Sequence, residues 1–126
     1  MNSENLGPEA EKAVEEAVQE LIKENSLFIG YIKAEFSDRL DNEGIDIMVF
    51  VIGGFVLPIQ VRSTMRRIHR FRKIHPLVRF VLFIKKPGLT DPNSAKYRRT
   101  LDYIKRKITR FAERAVKGYL DIDGQS

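Results

Sequence analysis

Residues 44–64 have the sequence GIDIMVFVIGGFVLPIQVRST, which predicts two β-strands joined by a tight turn. Residues 45–52 form an apolar run with Asp46 as the one charged residue, a pattern typical of a buried strand. Gly53 and Gly54 predict a two-residue turn, because both central positions of a type I′ turn need a positive φ. The sequence therefore predicts a β-hairpin in which the residues after the turn form the returning strand.

A two-residue turn also predicts which residues meet across the hairpin. The numbers of paired residues then sum to 107, which places Asp46 opposite Val61. Pro58 indicates an edge position or an irregularity in the returning strand and can shift this register by one residue. Gln60 and Arg62 are two residues apart, so both side chains leave the same face of the strand. Because a buried carboxylate needs a partner, we expect Asp46, Gln60 and Arg62 to form one polar cluster, with an Asp46–Arg62 ion pair as its simplest form.

The segments outside the hairpin predict one α/β domain over residues 1–126. Ser63 and Thr64 suit the N-cap of a helix, and Gly118 suits the end of one. Residues 1–7 and 121–126 are expected to be flexible tails. In chain order, the predicted elements are a helix over 8–25, strands over 27–36, 45–52 and 55–61, a short helix over 65–74, a strand over 77–85 and a long helix over 94–117.

The composition excludes several classes of protein. The 126 residues are 43% hydrophobic and 31% charged, whereas a disordered chain has too little apolar surface to bury. No run approaches the roughly 18 apolar residues of a transmembrane helix, so we expect no membrane association. The chain has no cysteine, which excludes disulfides, thiolate zinc sites and a cysteine nucleophile. The first residues lack the basic-then-apolar order of a signal peptide, so the expected location is the cytoplasm.

The charges divide the chain into an acidic front and a basic remainder. Residues 1–46 carry 12 acidic and 4 basic side chains, a net charge of −8, and residues 47–126 carry a net charge of +13. A basic segment with no acidic residue predicts contact with a phosphate backbone with little sequence preference. A solvated face, an acidic partner protein or the chain's own acidic half are the alternatives. The basic segment comprises Arg62, Arg66, Arg67, Arg70, Arg72 and Lys73.

The element order and the hairpin residues resemble the PD-(D/E)XK nuclease superfamily, and most closely its small archaeal Holliday-junction resolvases. In that superfamily an aspartate follows Gly or Pro, a Glu-x-Lys lies on the next strand, and a helix contributes a glutamate. Asp46 matches the aspartate, Gln60 stands at the glutamate position and Arg62 at the lysine position. The resemblance covers about residues 8–86 and implies a restriction-endonuclease-like domain around a mixed sheet.

The same resemblance implies a divalent cation, Mg²⁺ or Mn²⁺, held by Asp46 and Gln60. Gln60 offers only a neutral amide oxygen, a weaker ligand than a carboxylate, and Arg62 stays protonated and cannot act as a base. A helix glutamate could supply a second carboxylate. Glu11 and Glu15 lie at the edge of the apolar stripe of the first helix and are the candidates. The candidate catalytic residues are therefore Asp46, Gln60, Arg62, Glu11 and Glu15.

Three functions remain open at this point. The Gln60 and Arg62 departures favour a nucleic-acid-binding protein of nuclease-like fold with a degenerate, inactive metal site. Asp46 keeps open a metal-dependent nuclease that hydrolyses DNA or RNA phosphodiesters, and a protein-binding assembly module is a further alternative. DNA is favoured over RNA as the partner, and a homodimer would suit a branched substrate, as in the resolvases that the chain resembles.

Overall fold

A four-stranded mixed sheet forms the centre of the computed structural model, which describes residues 8–34, 44–62, 66–75, 78, 80–85 and 91–124. The predicted α/β class and element order are confirmed. The elements are α1 (Pro8–Glu24), β1 (Phe28–Lys33), β2 (Ile47–Val51), β3 (Phe55–Arg62), α2 (Ile68–Ile74), β4 (Phe80–Phe83) and α3 (Ala95–Gly124).

The strands lie in the order β1-β2-β3-β4. The first three form an antiparallel meander, whereas β4 pairs with β3 in parallel. Parallel neighbours cannot be joined by a tight turn, and here the connection between them contains α2. The ends of β2 and β3 that lie away from their connecting turn are thereby brought close to the start of α2.

The core lies between one face of the sheet and the two long helices, α1 and α3. Their apolar residues recur at three- and four-residue intervals and so form one stripe along each helix. Alternate residues of β2 and β3 point into the same core. Its fully buried large side chains are Val14, Val18, Val49, Val51, Leu57, Ile59, Leu82, Leu101, Ile104 and Ile108. In the described ranges, no helix combines the length and the apolar character needed to cross a membrane.

The turn between β2 and β3 contains three residues, so the predicted register is wrong by one. Val51 pairs with Phe55, and paired residue numbers sum to 106 along the whole ladder. Ile52 leaves the strand and joins Gly53 and Gly54, which have φ values of 90° and 85°. The two glycines were correctly assigned to the turn, but their positive φ values do not by themselves determine how many residues the turn contains.

Pro58 lies in an interior strand, which contradicts the predicted edge position. It pairs with Met48 without any break in register. The Ile59 carbonyl accepts a hydrogen bond from the Asp46 N–H, at 2.9 Å, so the polar groups of Ile59 point towards β2. The nitrogen of Pro58 points to the opposite side, where pairing with β4 begins only at Ile59. The missing N–H therefore removes no bond of the described ladders.

Two helix boundaries also differ from the sequence predictions. α3 continues through Gly118 to Gly124, so Gly118 does not end it and much of the predicted C-terminal tail is helical. Gly118 does not have the positive φ of a helix-ending glycine. α2 begins at Ile68, after Arg67 with a φ of 59°, and not at residue 65. The predicted Ser63–Thr64 cap, the N-terminal tail and the far end of the first predicted strand lie outside the described residues.

Candidate functional site

Asp46 immediately precedes β2, and both its main chain and its side chain form hydrogen bonds with neighbouring segments of the chain. Its N–H donates to the Ile59 carbonyl, and its own carbonyl accepts from the Ala34 N–H at 3.0 Å. One carboxylate oxygen, Oδ2, accepts a 2.7 Å hydrogen bond from the N–H of Val61. The carboxylate is thus fixed beside the residue that separates Gln60 from Arg62, as the sequence predicted, although the backbone register is shifted by one.

Gln60 and Arg62 are the two buried polar residues of the described part of the chain, only 7% and 4% exposed. The Nη1 of Arg62 donates to the amide oxygen of Gln60 at 3.2 Å, and its Nη2 donates to the carbonyl of Arg66 at 2.7 Å. The guanidinium also lies over the ring of Phe71, 5.3 Å from the ring centre. The side chain of Arg62 therefore connects the end of β3 with two parts of the α2 region, the Arg66 carbonyl before the helix and the Phe71 ring within it.

On the helix side of the sheet, a small cleft brings Glu11 and Asp46 together. Glu11 is one of the two helix glutamates that the sequence singled out. Lys33, the last residue of β1, lies in the same cleft, with its Nζ 3.9 Å from a carboxylate oxygen of Glu11. The cleft therefore combines two carboxylates with one ammonium group. The residues that line it are Glu11, Val14, Lys33, Asp46, Ile47 and Val61.

Glu15 lies beside this cleft and faces β1. The Tyr31 hydroxyl donates to its Oε1 at 2.8 Å, and the Lys33 Nζ lies 3.7 Å from its Oε2. Tyr31 in turn accepts a hydrogen bond from the Gln19 amide, and burial raises the pKa of the Tyr31 hydroxyl. Glu15 is thus held by Tyr31 and Lys33, while Glu11 is the helix glutamate that shares the cleft with Asp46.

Lys33 is the site residue that sequence reasoning missed. A signal for Lys33 was present in the sequence, because residues 1–46 contain only four cations and Lys33 lies in the second half of the first predicted strand. Antiparallel pairing of β1 with β2 places Lys33 opposite Ile47, the residue after Asp46. Testing the first two strands as an antiparallel pair would have placed this lysine next to the aspartate.

Three other acids of α1, Glu16, Glu20 and Glu24, bind to α3. The Tyr97 hydroxyl donates to Glu16 at 2.6 Å, and burial together with this carboxylate raises the pKa of Tyr97 to about 12. Arg98 donates two hydrogen bonds to Glu20, which lower the pKa of Glu20 to about 2 despite an opposing effect of burial. Lys105 also contacts Glu20, at 3.1 Å. Part of the basic α3 therefore neutralises the acidic half of the same chain, one of the alternatives left open above.

The start and surface of α2 carry the exposed part of the basic segment. Five of its six cations are exposed, whereas Arg62 is buried. Of the residues of α2 itself, Ile68 is the one that is buried, so the helix presents most of its circumference to solvent. We refer to the exposed set as the α2 basic surface: Arg66, Arg67, Arg70, Arg72 and Lys73.

The donors at this site fit a divalent cation poorly. Within the described ranges, no three His, Asp or Glu side chains form a group that could hold a metal ion. The amide oxygen of Gln60 is bound by a guanidinium, and Lys33, which lines the same cleft as Asp46, has its ammonium 3.9 Å from a carboxylate oxygen of Glu11. Mg²⁺ and Mn²⁺ prefer several oxygen ligands without competing positive charge. The assignment of Asp46 and Gln60 as metal ligands therefore stays a prediction.

Comparison of the chain with protein-family models, curated proteins and solved structures finds no match. The resemblance to the PD-(D/E)XK superfamily therefore depends on the element order and on the residues of the hairpin. Any functional proposal has to be argued from the site itself.

Proposed function

We propose that the chain is a nucleic-acid-binding protein with a PD-(D/E)XK nuclease-like fold, which binds the phosphate backbone through the α2 basic surface. The observation that carries this proposal is the junction made by Arg62. The side chain of Arg62 binds the carbonyl of Arg66, so the exposed cations begin directly beside the end of β3, where the Val61 N–H binds the Asp46 carboxylate. The helix–three strands–helix–strand order around a mixed sheet supports the nuclease-like interpretation.

Charge density at α2 is the physical basis of the binding. Residues 66–73 contain five basic side chains and no acidic one. Each phosphate that a lysine or arginine neutralises releases condensed counterions, which favours binding at low salt irrespective of base sequence. Arg98 and Lys105 of α3 are engaged with acids of α1, which lowers the charge that α3 offers to a polyanion.

A charge reversal at α2 tests the proposal. We expect Arg66→Glu combined with Arg70→Glu to weaken binding of a labelled DNA hairpin to a similar extent for different sequences. The slope of log affinity against log salt should flatten by roughly 0.9 for each lost phosphate contact. Fluorescence anisotropy at two or more salt concentrations measures both quantities, and an RNA hairpin of the same sequence shows which nucleic acid is preferred.

The matched control reverses Arg106 and Arg110, two exposed arginines of α3, and changes the net charge by the same amount. This control should lower the affinity much less, because its charges lie away from the α2 basic surface. Equal effects of the two double variants would contradict a site at α2. No effect of either would leave the chain as a protein-docking module. Asp46→Asn removes a negative charge near the phosphates, so the affinity should stay equal or rise slightly.

Hydrolysis of phosphodiesters is a second candidate function, favoured by the shared cleft of Glu11 and Asp46. Two carboxylates in one cleft are the minimum from which a metal-dependent nuclease could be built. Incubation with plasmid and branched DNA in Mg²⁺, Mn²⁺ or EDTA tests it. Cleavage that disappears in EDTA and in Asp46→Ala would assign the chain to the active nucleases, and its absence under all conditions would leave nucleic-acid binding alone.

A further inference from the structure

We infer that the Lys33 ammonium takes the place of a divalent cation at the cleft of Glu11 and Asp46, so that the chain binds nucleic acid without Mg²⁺ or Mn²⁺. The part about nucleic acid rests on the function proposed above, whereas the part about the cation does not. The starting point is that this cleft already contains a positive charge among its lining residues.

The backbone fixes Lys33 at this position. Lys33 is the last residue of β1 and pairs with Ile47, and the next N–H along the chain, that of Ala34, donates to the Asp46 carbonyl. The start of the lysine side chain is therefore held beside Asp46 by main-chain hydrogen bonds rather than by a loop. Its ammonium then extends towards α1, where two glutamates lie within 4 Å.

The charges of the cleft explain why a metal ion would be disfavoured. Lys33 offers a full positive charge and three N–H donors to carboxylates that would otherwise repel one another. A divalent ion bound to Glu11 would have to lie close to this ammonium, which is 3.9 Å from a Glu11 oxygen, and the two positive charges would repel each other although both side chains are partly exposed. Beyond Val61, Arg62 already binds the amide oxygen that the resemblance assigns to the metal.

An ammonium group in place of a divalent cation changes the chemistry available to the site. A bound Mg²⁺ acidifies water and bridges phosphate oxygens, whereas an ammonium group only supplies charge and hydrogen bonds. Lys33 therefore balances negative charge in the cleft without creating a nucleophile. The carboxylates remain at the site as partners of Lys33 and of the Val61 N–H.

Titration of the full chain with Mn²⁺, followed through the EPR signal of the free aqueous ion, tests this inference without any nucleic acid. The wild-type chain should leave Mn²⁺ free up to about 1 mM, since the Lys33 ammonium already lies beside the carboxylate of Glu11. Lys33→Gln should bind one Mn²⁺ at least about tenfold more tightly, because removal of the ammonium removes the repulsion. This gain should disappear when Asp46→Asn is added.

Two further variants control for the change in net charge and for folding. Lys33→Arg keeps the positive charge and should behave as the wild type. Lys23→Gln removes an exposed lysine elsewhere on α1 and should not create Mn²⁺ binding. Circular dichroism of each variant confirms that it is folded. Tight Mn²⁺ binding by the wild type that Asp46→Asn abolishes would overturn the inference, and so would an unchanged Mn²⁺ affinity in Lys33→Gln.

A second arm measures binding of the DNA hairpin in EDTA and in Mg²⁺ at equal ionic strength. The wild-type affinity should be the same in both, whereas Lys33→Gln should become dependent on Mg²⁺. A wild-type chain that binds DNA only in Mg²⁺ would overturn the inference while leaving nucleic-acid binding intact. A chain that binds no DNA at all but passes the Mn²⁺ test would contradict the proposed function and retain the role of Lys33 in the cleft.

Discussion

At the residue scale, the site is formed where the pairing of the strands gives way to polar contacts of individual side chains. Asp46 was predictable, because a carboxylate inside an apolar run needs a hydrogen bond, and it obtains one from Val61. The bond between Gln60 and Arg62 followed from their two-residue spacing on one strand. Lys33 did not follow, because its position depends on which strands pair, and a lysine near the end of a strand is more often a solvated residue.

Glu20 is the residue whose charge state should most affect stability in acid. Hydrogen bonds from Arg98 lower the pKa of Glu20 from 4.5 to about 2 in the folded chain. Because the folded pKa is depressed, the stabilisation is fully present above pH 4.5 and is lost as the pH falls through about 2. Arg98 is 50% exposed, so solvent screens the pair, and we expect Glu20→Gln to lower the free energy of unfolding at pH 7 by about 1 kcal/mol.

Urea denaturation at a series of pH values checks this prediction. The difference between Glu20→Gln and the wild type should shrink from pH 4.5 downwards and be small at pH 2. Glu113→Gln, which alters an exposed acid of α3, should show little difference at any of these pH values. A Glu20→Gln effect that persists unchanged at pH 2 would mean that packing, and not the ion pair, stabilises this contact.

At the scale of elements, prediction worked best where one physical pattern determines the structure. The apolar stripe of α1 and the apolar run of β2 each require one buried face, so both elements were identified from sequence. The ends of elements were harder. The turn after β2 contains Ile52 as well as the two glycines, and α3 passes through Gly118 because packing elsewhere along the helix outweighs one unfavourable residue.

Substitution by alanine should have opposite effects on stability at two glycines, Gly118 and Gly54. A Cβ added at Gly118 would meet open space, and its φ is not in the positive range, so Gly118→Ala should stabilise the chain by about 0.5–1 kcal/mol. Gly54 also has open space, but its φ is +85°, so Gly54→Ala should cost about 1–2 kcal/mol through backbone strain alone. Thermal or urea denaturation measures both. Destabilisation by Gly118→Ala would contradict a continuous α3.

At the scale of the whole molecule, the packing of α1 against α3 pairs acids of the acidic front with cations of the basic remainder. α1 and α3 share the pairs that Glu20 and Glu24 make with Arg98 and Lys105. The five cations of the α2 basic surface are exposed to solvent. The charge asymmetry was visible in the sequence, but which cations pair with α1 depends on the packing of the helices, which a linear charge count does not contain.

The contact between α1 and α3 joins residues far apart in the sequence, and this has a consequence for folding kinetics. Arg98 and Glu20 are 78 residues apart, whereas β2 and β3 form a local hairpin. Closing the longer loop costs more chain entropy, so we expect the hairpin to form before the transition state and α1 to dock after it. Val49→Ala in β2 should mainly slow folding, and Val18→Ala in α1 should mainly accelerate unfolding.

Stopped-flow folding and unfolding in urea measures both rates for this matched pair, since each variant removes the same two methyl groups from a fully buried position. The reverse assignment, with Val18→Ala slowing folding, would contradict late docking of α1. Late docking also means that the acids of α1 remain unpaired on the folding pathway until the final step. The pairing of these acids with α3 therefore stabilises the native chain mainly by lowering its unfolding rate.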